Sequence, residues 1–300
     1  MSAHGGSGEL SGRLPVNKTY KQFIGGVFER SESGRSYPVV GAGGRLLAHA
    51  VLGSRKDIRE AVAAACSAQG GWAGRTAYNR GQILYRVAEV MESRRAEFSA
   101  EVLRAGHGTS EEAAARETSV AIDRWVWYAG WADKFSTVLG GVNPVAGPYF
   151  NLSMPEPTGV VGIVAPNEPP LLPLVSRLAP AIVSGNTAVV LASELCPLVA
   201  VTLAETLALS DVPPGVVNIC TGCHQELVPP LADHGAVDAL DITGCDPELA
   251  SDAARRAAAT ITRVVSASAA ERLWADEAAQ SPYLIDAFCE IKTVWHPKGR

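Results

Sequence analysis

The 300-residue sequence lacks the features that would place a protein in a membrane or outside the cell. It has no run approaching the ~20 apolar residues that span a bilayer, because Arg177 and several prolines interrupt its most apolar segment. Residues 1–16 are small and polar, without the apolar core of a secretion signal. The six cysteines are scattered rather than grouped as in a disulfide framework. We therefore expect a protein of the reducing cytoplasm.

Charged residues are also scarce. They make up 19% of the chain, the net charge is −5, and lysines and arginines form no sustained cluster. Binding to nucleic acid, which depends on neutralising phosphates, is therefore not expected. An apolar fraction of 47% with this charge is typical of a globular protein, and no spacing of cysteine and histidine predicts a metal site.

After Val160 the sequence alternates short apolar runs with helical patterns. The predicted strands are VVGIVA, TAVVL, GVVNICT, ALDIT and TRVVSA. Helices are predicted to begin near Pro170, Pro197, His224 and Asp246. This alternation predicts an α/β fold with a Rossmann-like parallel sheet and a ligand crevice at the carboxyl ends of its strands.

The first half of the chain is predicted to pack around that sheet. Two short strands flank Gly25 and Gly26, and a helix follows Ser54, which can cap it. Two longer helices are predicted over about 79–104 and 111–135. The last of these carries Trp125, Trp127 and Trp131, whose helical spacing is more typical of a core or an interface than of a stacking platform.

Two further segments stand apart from the sheet. Glycines and prolines punctuate GGVNPVAGPYFNLSMPEPTG, which predicts an extended hairpin. Near the end, LIDAFCEIKTVWHP predicts one strand with no partner strand immediately before it. Such a strand must pair with something, so we expect both segments to take part in assembly.

Several motifs together resemble the aldehyde dehydrogenase superfamily. They are EPTGVVGIVAP, LAPAIVSGNTAVVL, PPGVVNICTG, AVDALDITG, RGQILYRVAEVMESRRAEF and EIKTVW. The resemblance extends from about Tyr20 to about Ala267 and resumes at the final strand. YKQFIGGVFERSESGRSY and AIDRWVWYAGWADKF are most similar to the branch that joins an active unit to a degenerate second one.

The departures from the family pattern affect the cofactor site first. The resemblance implies a lysine on the adenosine ribose where this chain has Leu191, although Ser193 and Glu194 match. Residues 223–227, CHQEL, replace the small residues that let a dinucleotide approach the backbone. We therefore expect no cofactor. Residual NAD binding is the alternative, with vestigial candidates Ser193, Glu194, Gly222 and Gly244.

The catalytic groups depart as well. The position of the oxyanion-stabilising asparagine falls on Glu168, and a carboxylate has no proton to donate. The general-base position falls near Ala267, and the chain then passes directly to the final strand, without the domain that bears the nucleophilic cysteine. We therefore assign no catalytic residue.

Other residues could carry chemistry. Cys220 and Cys223 could form a redox pair or half a metal site, and packing is the ordinary alternative. Cys245 or Cys289 could replace the nucleophile, but both are expected away from the aldehyde. His224 and Glu226 could form an acid–base pair, or simply begin a helix.

The sequence thus predicts a flexible leader (1–16), a degenerate cofactor-binding domain (17–137 and 158–268) and an oligomerisation arm and tail (138–157 and 269–300). We expect a catalytically inactive subunit that assembles with a full-length, active aldehyde dehydrogenase. A nucleotide-binding sensor and an oxidoreductase with relocated catalytic groups are the alternatives. The predicted interface residues are Tyr149, Phe150, Phe288, Ile291, Val294 and Trp295.

Overall fold

The computed structural model describes residues 18–41, 44–106 and 109–298. The predicted leader lies outside the described residues. A seven-stranded sheet runs in the order β11-β10-β7-β8-β9-β1-β2. Its strands are β1 (Gln22–Ile24), β2 (Val27–Glu29), β7 (Val160–Val164), β8 (Thr187–Leu191), β9 (Val217–Cys220), β10 (Ala239–Asp241) and β11 (Arg263–Val265). The five strands from β7 to β11 pair in parallel, as predicted, and β1 and β2 extend the sheet antiparallel.

Helices cover both faces of this sheet. They are α1 (Arg55–Ala73), α2 (Ala77–Ser93), α3 (Arg95–Ala105), α4 (Glu111–Trp131), α5 (Phe135–Leu139), α6 (Leu172–Val183), α7 (Pro197–Ala208), α8 (His224–Ala232), α9 (Pro247–Ala259) and α10 (Pro282–Asp286). One core contains α2, α3, α4, α6 and α7, and the core on the opposite face contains α8, α9 and most of α1. Every residue of β7, β8 and β9 is buried, which explains why these strands read as continuous apolar runs.

The helices of the first half begin as predicted but end earlier. Ser54 caps α1, and Asp57 completes a capping box with it. The helix predicted over 79–104 divides at Arg94, whose guanidinium lies 2.5 Å from a Glu205 carboxylate oxygen on α7. The helix predicted to reach residue 135 ends at Trp131, and α5 follows separately.

Two smaller sheets complete the fold. Strands β3 (Ser36–Val40) and β4 (Leu46–Val51) form a hairpin. Strands β5 (Gly141–Val142), β6 (Tyr149–Pro157) and β12 (Cys289–Pro297) form the sheet that we call the arm, in the order β12-β6-β5. The final strand therefore pairs with β6 along nine residues. None of the helices in the described residues has the length and apolarity needed to cross a bilayer.

Candidate functional site

The carboxyl ends of the parallel strands bring the predicted cofactor residues together. Ser193 and Glu194 follow β8, and both contact Asn167, which follows β7. Gly222 follows β9 with φ +147°, and a Cβ atom at this position would meet the backbone of Gly53. The position therefore suits glycine. Gly244 follows β10 and donates its N–H to the Val164 carbonyl. The order of the parallel strands therefore places these four residues along one edge of the sheet.

Glu194 is bound to the start of α8. Its carboxylate accepts a hydrogen bond from the His224 N–H, the first residue of that helix. The Cys223 thiol also donates to this carboxylate, and burial together with that bond raises the pKa of Cys223. A carboxylate at a helix N-terminus is stabilised by the helix dipole. Glu194 therefore acts as a helix cap, and its acceptor oxygens are engaged within the chain.

His224 lies at the same edge of the sheet. Its side chain is buried, and Nε2 lies 2.8 Å from the Ala192 carbonyl, to which it donates in the neutral form. Burial lowers the pKa of His224, which favours that neutral form. Glu226 has a different partner, because its carboxylate lies 3.9 Å from Arg35 at the surface. The structure therefore gives no support to an acid–base pair of His224 and Glu226.

Asp246 occupies the start of α9 in the same way. Its side chain accepts hydrogen bonds from the N–H groups of Glu248 at 3.0 Å and Leu249 at 2.8 Å. Pro247, the first residue of the helix, has no N–H, and Ala250 donates to the Asp246 backbone carbonyl. The N–H groups of the first turn are thus all engaged or absent, so this helix offers no free donor to an anion.

A third helix start is capped by a residue that the sequence did not point to. The Glu117 carboxylate on α4 accepts from the N–H groups of Leu171 at 2.8 Å and Leu172 at 3.0 Å, where α6 begins. Burial raises the pKa of Glu117. We call Glu117, Glu194 and Asp246 the carboxylate caps.

The carboxylate caps decide whether a dinucleotide fits this edge. Its pyrophosphate needs free N–H groups and positive potential, which helix N-termini normally supply. Here the starts of α6, α8 and α9 each carry a carboxylate of the chain itself, and the imidazole of His224 is buried at the start of α8. The residues present therefore do not fit a dinucleotide.

The oxyanion position also lacks a donor. Glu168 is exposed and follows Asn167, as the alignment of the motif predicts. The Asn167 side-chain oxygen accepts from the Glu194 N–H at 3.0 Å and from the Ser193 hydroxyl at 3.0 Å. Asn167 is thus bound to the loop after β8, and a carboxylate stands where a donor is needed.

The cysteines are unsuited to nucleophilic attack. Burial raises the pKa of Cys245 to about 12 and that of Cys289 to about 11, so both remain thiols near neutral pH. Cys220 is buried at the end of β9, and burial raises its pKa as well. Cys220 and Cys223 are both free thiols. The described residues contain no group of three or more potential metal ligands.

Residues 268–288, which we call the closing segment, lead from the sheet to the arm. Arg124 on α4 is buried and donates to the carbonyls of Trp274 at 2.9 Å and Ala279 at 3.0 Å, and to the Ser176 hydroxyl at 3.0 Å. Trp274 is 8% exposed and joins the core around α4 and α6. The closing segment therefore belongs to the folded core.

The tryptophans of α4 pack in a hydrophobic core. Trp125 is fully buried, whereas Trp127 and Trp131 are partly buried with ring centroids 5.4 Å apart. All three contribute to the core that contains α4.

The predicted interface residues lie on two faces of the arm. Tyr149 and Trp295 share one face, where their rings meet edge to face at 5.9 Å, and Ile291 lies on the same face. Phe150 and Val294 lie on the opposite face.

Phe288, the sixth predicted interface residue, does not lie on the arm. It precedes β12, is fully buried in the chain's own core, and its ring lies 5.9 Å from the Arg177 guanidinium. It is therefore a core residue, and we withdraw it from the predicted interface. Alternation along the terminal strand could not reveal that the chain enters the core just before the strand begins.

Comparison with known proteins agrees with this architecture. The sequence model of the aldehyde dehydrogenase family matches residues 28–272. The putative aldehyde dehydrogenase DhaS of Bacillus subtilis is 34% identical over 250 residues, which are 82% of this chain and 50% of that protein. Cytosolic 10-formyltetrahydrofolate dehydrogenase of Mus musculus is 34% identical over 238 residues, 77% of this chain and 26% of that protein.

Solved structures give the same result. HpcC from Thermus thermophilus superposes with a TM-score of 0.78 at 30% identity, covering 83% of this chain and 48% of HpcC. An NAD+ complex of aldehyde dehydrogenase from Bacillus cereus superposes with a TM-score of 0.77 at 27% identity, covering 83% of this chain and 50% of that chain. The chain thus spans about half the length of these relatives, or less.

The carboxylate caps predict that the chain does not bind NAD+. At about 1 mM NAD+ we expect no change in melting temperature, whereas a dissociation constant of about 10 μM would raise it by about 5 °C. The Bacillus cereus enzyme crystallised with NAD+ is the positive control. A saturable rise in the melting temperature of this chain would show that the dinucleotide binds despite the carboxylate caps.

The hydrogen bonds of Arg124 predict that the closing segment becomes less stable when this side chain is replaced. Arg124→Met leaves two buried carbonyls without their donor, which we expect to lower the free energy of unfolding by about 2–4 kcal/mol. Amide hydrogen exchange across the closing segment should accelerate, as measured by mass spectrometry. The control is Arg255→Met, since Arg255 is 72% exposed. Equal exchange in the two variants would mean that the segment is held by other contacts.

Proposed function

Because the chain belongs to the aldehyde dehydrogenase family, we propose that it is a catalytically inactive subunit that assembles with a full-length aldehyde dehydrogenase. The proposal has two parts, the absence of chemistry in this subunit and the surface through which it assembles. Each part is supported by different residues.

The residues at the family's catalytic positions support the first part. Oxidation of an aldehyde by this family's route needs a nucleophile, a general base and donors for the oxyanion converging on one carbon. The resemblance places Glu168 at the donor position and the base position near Ala267, and Cys245 and Cys289 are a partly buried and a buried thiol. The subunit would therefore contribute structure rather than turnover.

The arm supports the second part, and its apolar face is the observation that carries the proposal. The register places Val142, Phe150, Leu152, Met154 and Val294 on one face, each between 36% and 70% exposed. We call this set the apolar arm face. These residues are neighbours in the register, beside the ion pair of Lys292 and Glu156 on the same face, and exposed apolar surface of this kind marks an interaction site. Val142, Leu152 and Met154 were not identified from sequence, because their common face follows only from the strand register.

The edge of the arm is also open. Strand β12 is the outermost strand of the order β12-β6-β5, and no strand of the described residues pairs with its outer side. An unpaired edge of nine residues is a template for a strand from another chain. A full-length aldehyde dehydrogenase is the proposed partner, since its additional residues provide sheet edges that this chain's described residues do not contain.

Such a subunit could stabilise the partner, shape access of the aldehyde, or hold the partner beside another enzyme. All three roles require a defined complex with fixed stoichiometry. The complex is therefore the first property to test.

The first test is purification of the tagged protein from its own cells, followed by mass measurement of the intact assembly. We expect a full-length aldehyde dehydrogenase in stoichiometric amount, because the open edge and the apolar arm face need a partner. Recovery of a homo-oligomer alone would overturn the proposal.

A substitution on the arm tests the surface itself. Val294→Glu places a carboxylate on the apolar arm face, and we expect it to weaken the assembly at least about tenfold, since an unpaired charge is costly to bury. The matched control is Val40→Glu on β3, because Val40 is 40% exposed and Val294 is 38% exposed. Both variants are compared by light scattering across a dilution series. If both leave the assembly intact, this face is not the interface.

A further inference from the structure

A small cavity opens where three segments of the first half of the chain meet. The segments are the residues before β1, the turn between β2 and β3, and the end of β4. The cavity has a volume of about 130 Å³, well above the roughly 10–15 Å³ that one water molecule needs. We call it the basic cavity, and its polar lining residues are Thr19, Arg30, Arg35, Ser36 and His49. It is separate from the arm.

The basic cavity combines cationic side chains with hydroxyl groups and contains no carboxylate. Arg30, Arg35 and His49 line it together with the hydroxyl residues Thr19 and Ser36. Three larger cavities among the described residues each include at least one aspartate or glutamate. The basic cavity therefore concentrates positive charge in a chain whose net charge is −5.

The acidic residues of the same segments lie against α1 instead. Glu32, in the turn after β2, pairs with Lys56 on α1 at 2.9 Å. Glu29 on β2 is partly buried near Glu60 and Asp57 of α1, and burial together with these two charges raises the pKa of Glu29. Both acids therefore face α1 rather than the basic cavity.

Two other carboxylates lie near the basic cavity, and neither neutralises it. Glu101 on α3 is paired with Arg104 and accepts from the Tyr20 hydroxyl at 2.6 Å. Glu226 on α8 lies 3.9 Å from Arg35, and both side chains are 56% exposed. An ion pair this long and this exposed is weak, because water screens it. Arg35 is therefore available to a ligand that offers shorter hydrogen bonds.

We propose that the basic cavity binds the phosphate group of a small molecule, either inorganic phosphate or a phosphate monoester. Arg30 makes no hydrogen bond or ion pair with any residue that the structure describes, so its guanidinium has donors to offer. Arginines bind phosphate oxygens through charge-assisted and often bidentate hydrogen bonds, and hydroxyl groups can donate to the remaining oxygens. A volume of about 130 Å³ is below the roughly 300 Å³ of cavities that enclose a whole organic ligand, so any organic part of a monoester lies outside.

The first test is calorimetric titration of the full chain with inorganic phosphate at low ionic strength. We expect saturable binding with a dissociation constant of about 1 mM or below. Arg30→Gln and Arg35→Gln each remove one guanidinium from an exposed position and should weaken binding at least about tenfold. The matched control is Arg86→Gln, because Arg86 is 52% exposed and, like Arg35, has one glutamate partner. Absence of saturable binding at millimolar phosphate, or unchanged affinity in either cavity variant, would overturn the proposal.

A competition experiment distinguishes the two sources of the phosphate group. Glycerol 3-phosphate carries this group on an organic body, and we expect it to compete with inorganic phosphate for one site. Tighter binding of the ester identifies a phosphate monoester as the ligand, whereas equal or weaker binding identifies inorganic phosphate. If the two bind without competing, no single phosphate site exists and the proposal is wrong.

The crystallographic test needs no variant. Crystals of the unaltered chain are soaked in arsenate, which has the shape and charge of phosphate, and data are collected at the arsenic absorption edge. We expect an anomalous peak within hydrogen-bond distance of the guanidinium groups of Arg30 and Arg35. An empty basic cavity, with or without peaks at other arginines, would contradict the proposal.

Discussion

Three carboxylates, each bound to the backbone N–H groups at the start of a helix, determine what the carboxyl edge of the main sheet can bind. Glu117 caps α6, Glu194 caps α8 and Asp246 caps α9. Each cap stabilises its helix, typically by about 1 kcal/mol, and each places negative charge where an anion would otherwise be attracted. The same contacts that stabilise the fold therefore oppose the binding of an anion at these three helix starts.

A second set of contacts, on the other side of α6, fixes the closing segment. The closing segment is held by a buried arginine, Arg124, and it brings Trp274 and Phe288 into the core that contains α4 and α6. The chain then emerges as β12 and pairs with β6. What remains exposed is the arm, with an apolar face and an open strand edge. The arm is therefore the surface through which we propose that this chain assembles.

The sequence predicted the sheet well, because β7, β8 and β9 are buried on both faces and must be apolar. It did not predict the break at Arg94, whose guanidinium is paired with Glu205, more than a hundred residues away. Glu117 was missed for the same reason, because a glutamate on a helix gives no sign of the distant N–H groups that it will bind. The burial of Phe288 and the common face of Val142 and Val294 required the register of the arm.

The most direct measurement counts catalytic subunits in the purified assembly. NADH released in the first turnover is measured with excess aldehyde and NAD+, and the amount is divided by the subunit composition from intact mass. The account predicts at most one NADH for each full-length subunit and none for each copy of this chain. A yield that exceeds the number of full-length subunits, or any NADH formed by the isolated chain, would contradict it.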